Sequence, residues 1–248
     1  GFDTLYSGTG SAIINSGTDT DNTSEDVVFG EERIDTITGN FDRAVLIGDT
    51  LLGSNVEEDW IDYSSSTSGI TVDLGGNITD ATYNLDSTND ALDGTYVRVT
   101  NNDTPTDYDL ISQIENILGT DQTDTLGGDA NDNSILAGDG DDTVFLSDGN
   151  DILYGGNNDD DLSGGNGNDT LRGGDGADVI DGGANTDWVY YNTSGAVIVN
   201  LLTNIHAGSH AAGDNLTSIE NVLGSSSADN ITGDITANSI QGGKGNDR

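Results

Sequence analysis

The sequence predicts an all-β fold: a right-handed parallel β-roll, a β-solenoid of short stacked strands, with non-repeat β crossover segments. Three observations carry this. Aliphatic residues recur every nine positions through eight consecutive units, an Asp or Asn stands two residues before each one, and the fourth position of every unit is Gly, Asn or Gln.

The units begin at Gly119, Gly128, Ala137, Leu146, Gly155, Gly164, Gly173 and Gly182. Their sixth positions are Asp124, Asn133, Asp142, Asp151, Asp160, Asp169, Asp178 and Asp187. Their eighth positions are Leu126, Ile135, Val144, Leu153, Leu162, Leu171, Ile180 and Val189. Gly and Asn early in a unit permit positive φ and hence a tight turn. The residues that follow, such as Thr170-Leu171-Arg172, suffice for one short strand. Side chains alternate across a strand, so one aliphatic points inward and its neighbours point out. A single unit cannot bury so thin a core, but stacked units can. Two units per coil place a strand on each face and a glycine turn along each edge.

The 248 residues carry 45 Asp and Glu against 6 Lys and Arg, a formal charge of -39, and only 32% are hydrophobic. Such a composition also suits disorder, but the regular aliphatic spacing argues against it. The acidity excludes a nucleic-acid backbone as partner, because phosphates would be repelled. Cysteine is absent, so neither a disulfide nor a thiolate metal site exists. No signal peptide and no apolar run long enough to span a bilayer is evident.

Edge stacking sets Asp124, Asp142, Asp160 and Asp178 along one side and Asn133, Asp151, Asp169 and Asp187 along the other. Carboxylates and bare turn carbonyls then meet, and calcium favours six to eight such oxygens. Several calcium ions are expected between successive members of each column. An internal duplication extends the pattern. Ile114-Glu115-Asn116-Ile117-Leu118-Gly119 recurs as Ile219-Glu220-Asn221-Val222-Leu223-Gly224, and Asp229 and Asp247 then match Asp124 and Asp142. The ligand candidates are Asp124, Asp142, Asp151, Asp160, Asp169, Asp178, Asp187, Asp229 and Asp247. To these are added the turn backbone at Gly138, Gly140, Gly149, Gly156, Gly165, Gly167, Gly174 and Gly176.

The unit Gly164-Gly165-Asn166-Gly167-Asn168-Asp169-Thr170-Leu171-Arg172 reads G-G-x-G-x-D-x-U-x, and through it the chain resembles the RTX (repeats-in-toxin) family. The layout is similar to the C-terminal RTX domain of serralysin-type and other type I-secreted bacterial proteins. The resemblance implies a calcium-binding β-roll, export as an unfolded chain, and a secreted, extracellular or cell-surface location.

Five segments are expected: a degenerate N-terminal roll over 1–62, a crossover with a long insertion over 63–118, the regular roll over 119–190, a second crossover over 191–223, and a C-terminal roll over 224–248. The clearest units of the degenerate roll pair Asp26 with Val28 and Asp35 with Ile37. Repeats cut at both ends suggest a piece of a longer polypeptide. Asp59-Trp60-Ile61-Asp62-Tyr63 recurs as Asp187-Trp188-Val189-Tyr190-Tyr191, and Trp60 and Trp188 are expected to plug the open ends of the core. Offsets of 128 and 105 between the duplicated motifs make the first crossover 23 residues longer than the second. Its excess, including Tyr96-Val97-Arg98-Val99, is expected as a decorative hairpin rather than a partner contact.

His206 and His210 are the only histidines; Ala207-Gly208-Ser209 between them contains no Glu, and no H-E-x-x-H motif exists, so both are expected in a surface loop. The carboxylates are repeated and equivalent, unlike a catalytic pair with two different environments, so no enzyme activity is expected. The leading reading is a calcium-folded scaffold or adhesive module of a secreted or surface protein. Alternatives are the non-catalytic C-terminal domain of a secreted hydrolase, lyase or epimerase, and a surface-layer assembly module. Besides calcium and the rest of the polypeptide, polysaccharide or other copies of the surface protein are the partners considered.

Overall fold

The computed structural model describes residues 59–75, 97–102, 108–112 and 114–248, together with the strands Thr4–Tyr6, Ile13–Asn15, Val27–Gly30, Thr36–Thr38 and Val45–Asp49. Asp26 and Asp35 lie outside the described residues, whereas Val28 and Ile37 fall within two of those strands.

The architecture is all-β, built of two long stacks of short strands. The first sheet runs, in spatial order, through Thr4–Tyr6, Val27–Gly30, Val45–Asp49, Tyr108–Ser112, Val97–Asn101, Ile70–Asp73, Thr125–Gly127, Thr143–Phe145, Asp161–Ser163, Val179–Asp181 and Asn215–Thr217. The second runs through Ile13–Asn15, Thr36–Thr38, Trp60–Asp62, Asn116–Leu118, Ser134–Asp139, Ile152–Asn157, Thr170–Asp175, Trp188–Tyr190, Asn221–Leu223 and Ser239–Gln241. Consecutive units alternate between the sheets, so each coil holds two units. From Thr125–Gly127 through Thr170–Asp175 each strand therefore pairs, in parallel, with the strand 18 residues on: Leu126 with Val144, Val144 with Leu162, Leu162 with Ile180. On the other face Ile135 pairs with Leu153 and Leu153 with Leu171.

These aliphatics are fully buried and form one continuous core. Each contributes roughly 1.5–3 kcal/mol of apolar burial. Their neighbours within a strand face outward, which the burial of Thr143–Phe145 illustrates: Val144 is 0% exposed and Phe145 53%. Among the described residues no helix is long and apolar enough to cross a membrane.

The segments 63–118 and 191–223 leave the second sheet unbroken. Trp60–Asp62 pairs directly with Asn116–Leu118, and Trp188–Tyr190 with Asn221–Leu223. The first sheet absorbs the longer excursion. Ile70–Asp73 extends it, and Val97–Asn101 inserts antiparallel between Ile70–Asp73 and Tyr108–Ser112. This corrects the expectation of a decorative hairpin. The hairpin exists, but its first strand is integral to the sheet, and Val99 is fully buried in the core.

The tryptophans are corrected as well. Trp60 and Trp188 flank the inward Ile61 and Val189, so strand alternation turns them outward, and both are half-buried on a face of the unbroken second sheet. Trp188 meets Tyr190 edge to face, with centroids 5.9 Å apart. Among the described residues the buried aromatics are instead Tyr63 and Tyr191.

Candidate metal centre

The turns of the six units from Ala137 to Gly182 share one backbone form. Their second positions (Gly138, Ser147, Gly156, Gly165, Gly174, Gly183) and fourth positions (Gly140, Gly149, Asn158, Gly167, Gly176, Asn185) all have positive φ. Gly156 shows why glycine predominates. Its φ is +132°, and a Cβ there would lie 1.8 Å from the Gly138 carbonyl oxygen of the preceding coil.

That form presents the sixth-position carboxylates in two ladders. On one edge the Asp124 N–H donates to Asp142 Oδ1 (2.8 Å), the Asp142 N–H to Asp160 Oδ1 (2.9 Å), and the Asp160 N–H to Asp178 Oδ1 (3.1 Å). The Asp178 N–H continues the ladder to Asp214 Oδ1 (3.1 Å). On the other edge the N–H groups of Asn133, Asp151 and Asp169 donate to Asp151, Asp169 and Asp187 Oδ1 at 2.7, 2.9 and 2.8 Å. Asp187 N–H then reaches Glu220 Oε2 at 2.9 Å.

One oxygen of each carboxylate is thus fixed. The other, Oδ2 of Asp142, Asp151, Asp160, Asp169, Asp178 and Asp187, is buried with no hydrogen-bond partner. An unmatched buried carboxylate oxygen is costly. Burial, reinforced by neighbouring carboxylates, pushes Asp142, Asp151, Asp178 and Asp187 up to about 7 and Asp160 to about 8. Asp169 is raised for the same first reason.

Carbonyl oxygens converge on these atoms. The point where Gly155 would carry a Cβ is 2.3 Å from Asp160 Oδ2 and 2.8 Å from the Gly173 carbonyl. The corresponding point at Gly164 is 2.4 Å from Asp169 Oδ2 and 2.7 Å from the Gly182 carbonyl. No group of three or more acidic or histidine side chains able to hold an ion occurs among the described residues, so backbone oxygen must supply most of any coordination shell. A carboxylate without a donor beside glycine carbonyls, with neither thiol nor imidazole, is a hard-oxygen set that fits calcium.

The predicted ligand residues divide. The six carboxylates above stand in two columns with glycine turns on the same edges. Asp124 and Asp229 do not share their state. Asp124 Oδ2 accepts the Thr120 N–H (2.7 Å), and its Oδ1 accepts the Thr120 hydroxyl (3.0 Å) and the Ile70 N–H (2.7 Å). Asp229 repeats this with the Ser225 N–H (2.6 Å), the Ser225 hydroxyl (2.9 Å) and the Val197 N–H (2.9 Å). Asp247 lies in an exposed turn with positive φ at Gly243 and Gly245, its Oδ1 accepting the Asp229 N–H at 3.0 Å.

Sequence reasoning missed Asp214 and Glu220 as ladder members, and Glu115, which accepts the Asp59 N–H at 2.9 Å. The available signal was an acid two residues before an inward aliphatic, as in Asp214/Leu216, Glu220/Val222 and Glu115/Ile117. It also missed the first-position glycine carbonyls. The histidines form no joint site. His210 Nε2 lies 2.9 Å from Asp175 Oδ1. His206 is buried rather than in an exposed loop; its Nδ1 accepts the Asn200 N–H at 3.3 Å, so its Nε2–H donates to Asn204 Oδ1 at 2.7 Å. Burial lowers the pKa of this ring.

Fold and site together define a parallel β-roll with acidic, oxygen-rich turns built for a hard cation. Comparison with known families matches residues 118–153, 154–189 and 221–248 to the RTX calcium-binding nonapeptide repeat, a family described by four copies of that repeat. These stretches are RTX repeats, and the chain contains a calcium-binding RTX module. A comparison with curated proteins finds no match.

Proposed function

We propose that external calcium folds this module, and that the folded roll serves as a structural or adhesive scaffold of a secreted or cell-surface protein, with no catalysis of its own. The observation that carries the reading is the set of six buried Oδ2 atoms without a donor, three on each edge. Asp142, Asp160 and Asp178 would hold ions on one edge, and Asp151, Asp169 and Asp187 on the other. The turn backbone at Gly138, Gly140, Gly149, Gly156, Gly165, Gly167, Gly174 and Gly176 brings carbonyls to the same edges. The bound ion supplies positive charge that offsets both the desolvation and the mutual repulsion of these carboxylates.

Ion binding to the native state alone stabilises it by mass action. Scarce calcium leaves a chain of net charge -39 unfolded, and abundant calcium folds it. The equivalence of the carboxylates supports scaffolding over catalysis. The test is calcium titration into chelator-treated protein, followed by far-UV circular dichroism with magnesium as control. A cooperative gain of β signal with calcium alone is expected. A chelated protein that is already fully folded would overturn the reading.

A further inference from the structure

We infer that Thr120 and Ser225 act as metal surrogates, so that the turns of Asp124 and Asp229 take no calcium although both carry the repeat's aspartate. This rests on the six-carboxylate reading above and sets the boundary of the metal-binding segment. Two turns related by the internal duplication, 105 residues apart, show the same pattern. In each, the second-position residue gives its N–H to Oδ2 and its hydroxyl to Oδ1, and the same hydroxyl accepts an N–H from the fourth position: Gln122 at 2.9 Å and Ser227 at 2.9 Å. Both carboxylate oxygens therefore have donors where, in the glycine turns, Oδ2 has none.

The backbone explains the divergence. Positive φ at the second and fourth positions marks each of the six turns whose Oδ2 lacks a donor, and neither Thr120, Gln122, Ser225 nor Ser227 has it. The second position alone does not decide, since Ser147 adopts a φ of +85° beside Gly149. Among the turns that carry the repeat's aspartate the fourth position separates the two kinds: Gly or Asn with positive φ in the open turns, Gln or Ser without it in the closed ones. On the other edge an amide performs the same service. Asn133 Oδ1 accepts the Asp129 N–H (2.8 Å) and its Nδ2 donates to the Glu115 carbonyl (2.8 Å). Asn238 does likewise with Asp234 (2.8 Å) and Glu220 (3.0 Å). The ladder from Asp142 to Asp178 ends at its far side on Asp214, whose Oδ2 accepts the Tyr191 hydroxyl at 2.7 Å. Calcium-dependent turns are thus bounded by turns that satisfy themselves with protons.

The test counts calcium bound per chain by equilibrium dialysis at saturation, with circular dichroism of the calcium-loaded protein as the check on folding. Three variants of the full chain are compared with the wild type. Asp142→Asn lowers the count; Asp124→Asn, a change with precedent at Asn133, leaves it unaltered. Thr120→Gly with Gln122→Gly opens the turn and raises the count by about one ion. If Asp142→Asn lowers the count and Asp124→Asn lowers it equally, the surrogate assignment is wrong while the six-carboxylate reading stands. If Asp142→Asn changes nothing, the six-carboxylate reading itself fails and takes the assignment with it. A double-glycine variant that folds in calcium yet binds the wild-type number also overturns the assignment. Asp124→Asn decides the matter even where the glycine pair does not fold.

Discussion

The turns at Asp124 and Asp142 occupy successive coils of the same edge, and their aspartates are hydrogen-bonded to one another. At the second and fourth positions, one carries Thr120 and Gln122 and the other Gly138 and Gly140. In the first, every carboxylate oxygen meets an N–H or O–H from the chain itself. In the second, the same carboxylate keeps one buried oxygen bare. The strands above and below are alike, with Leu126 and Val144 both fully buried, so apolar packing does not separate the two coils. In the proposed reading the solenoid depends on metal turn by turn, through the chemistry of its edges.

The largest way to break the comparison is to remove the ion. Chelation exposes the glycine-turn coils to unopposed carboxylate burial, and a solenoid's stability is close to a sum of neighbour terms. Hydrogen exchange followed by mass spectrometry is expected to show protection lost around Val144, Leu153, Leu162, Leu171 and Ile180 at calcium levels where 114–126 stays protected. Uniform loss along the chain would mean that the two turn types do not differ in metal dependence.

Acidification sharpens the same contrast. Burial holds the metal-free carboxylates of Asp142, Asp151, Asp178 and Asp187 at about 7 and Asp160 at about 8, against an ordinary 3.8. The folded chain therefore holds protons that the unfolded chain has released. Stability from this source is fully present below pH 3.8 and is lost as pH rises through about 7 to 8. In chelator, the β signal is expected to grow as pH falls from 8 towards about 4, and apparent calcium affinity to weaken over the same window. A pH-independent spectrum in chelator would show that these carboxylates do not limit folding.

Next in size is the backbone of the open turn. Gly156→Ala places a Cβ 1.8 Å from the Gly138 carbonyl at a φ of +132°. Backbone strain alone is on the order of 1–3 kcal/mol, and the clash adds to it. The calcium-loaded protein should show a urea midpoint lowered by at least that free energy divided by the m-value. An unchanged midpoint would mean that the coils separate easily and that the close approach is not structural.

Much of this was legible in the sequence because a period of nine encodes both faces at once. Leu126, Ile135, Val144 and Leu153 announced the inward stripe, and the glycines announced the turns. The parallel roll followed. Three features were hidden for physical reasons. Asp214 lies beyond the eight consecutive units and Glu220 sits outside the nine-residue register, and only the pairing across 36 and 33 residues brings them to the ladders. Val97–Asn101 joins the sheet by antiparallel pairing that a parallel repeat does not encode. The split between Asp124 and Asp142 turns on whether φ is positive at Gln122 or Gly140, a backbone property that fourth-position tolerance of Gly, Asn and Gln conceals.

The smallest predicted effect concerns Tyr191. Asp178 and Asp214 are ladder neighbours, yet Asp178 keeps a bare Oδ2 while Asp214 Oδ2 accepts the Tyr191 hydroxyl at 2.7 Å. Burial holds Tyr191 far above the ordinary phenol value, so it remains a donor at any physiological pH. Tyr191→Phe retains the buried ring and removes only that proton. Asp214 is then left in the position of Asp178, and the loss of a donor to a buried acceptor costs about 1–3 kcal/mol. Urea denaturation at sub-saturating calcium should register this shift. Because Phe supplies no oxygen for a new ion, added calcium should recover little of it. Full recovery with calcium would show that Asp214 belongs with the metal-dependent carboxylates, and that the tyrosine does not bound the ladder.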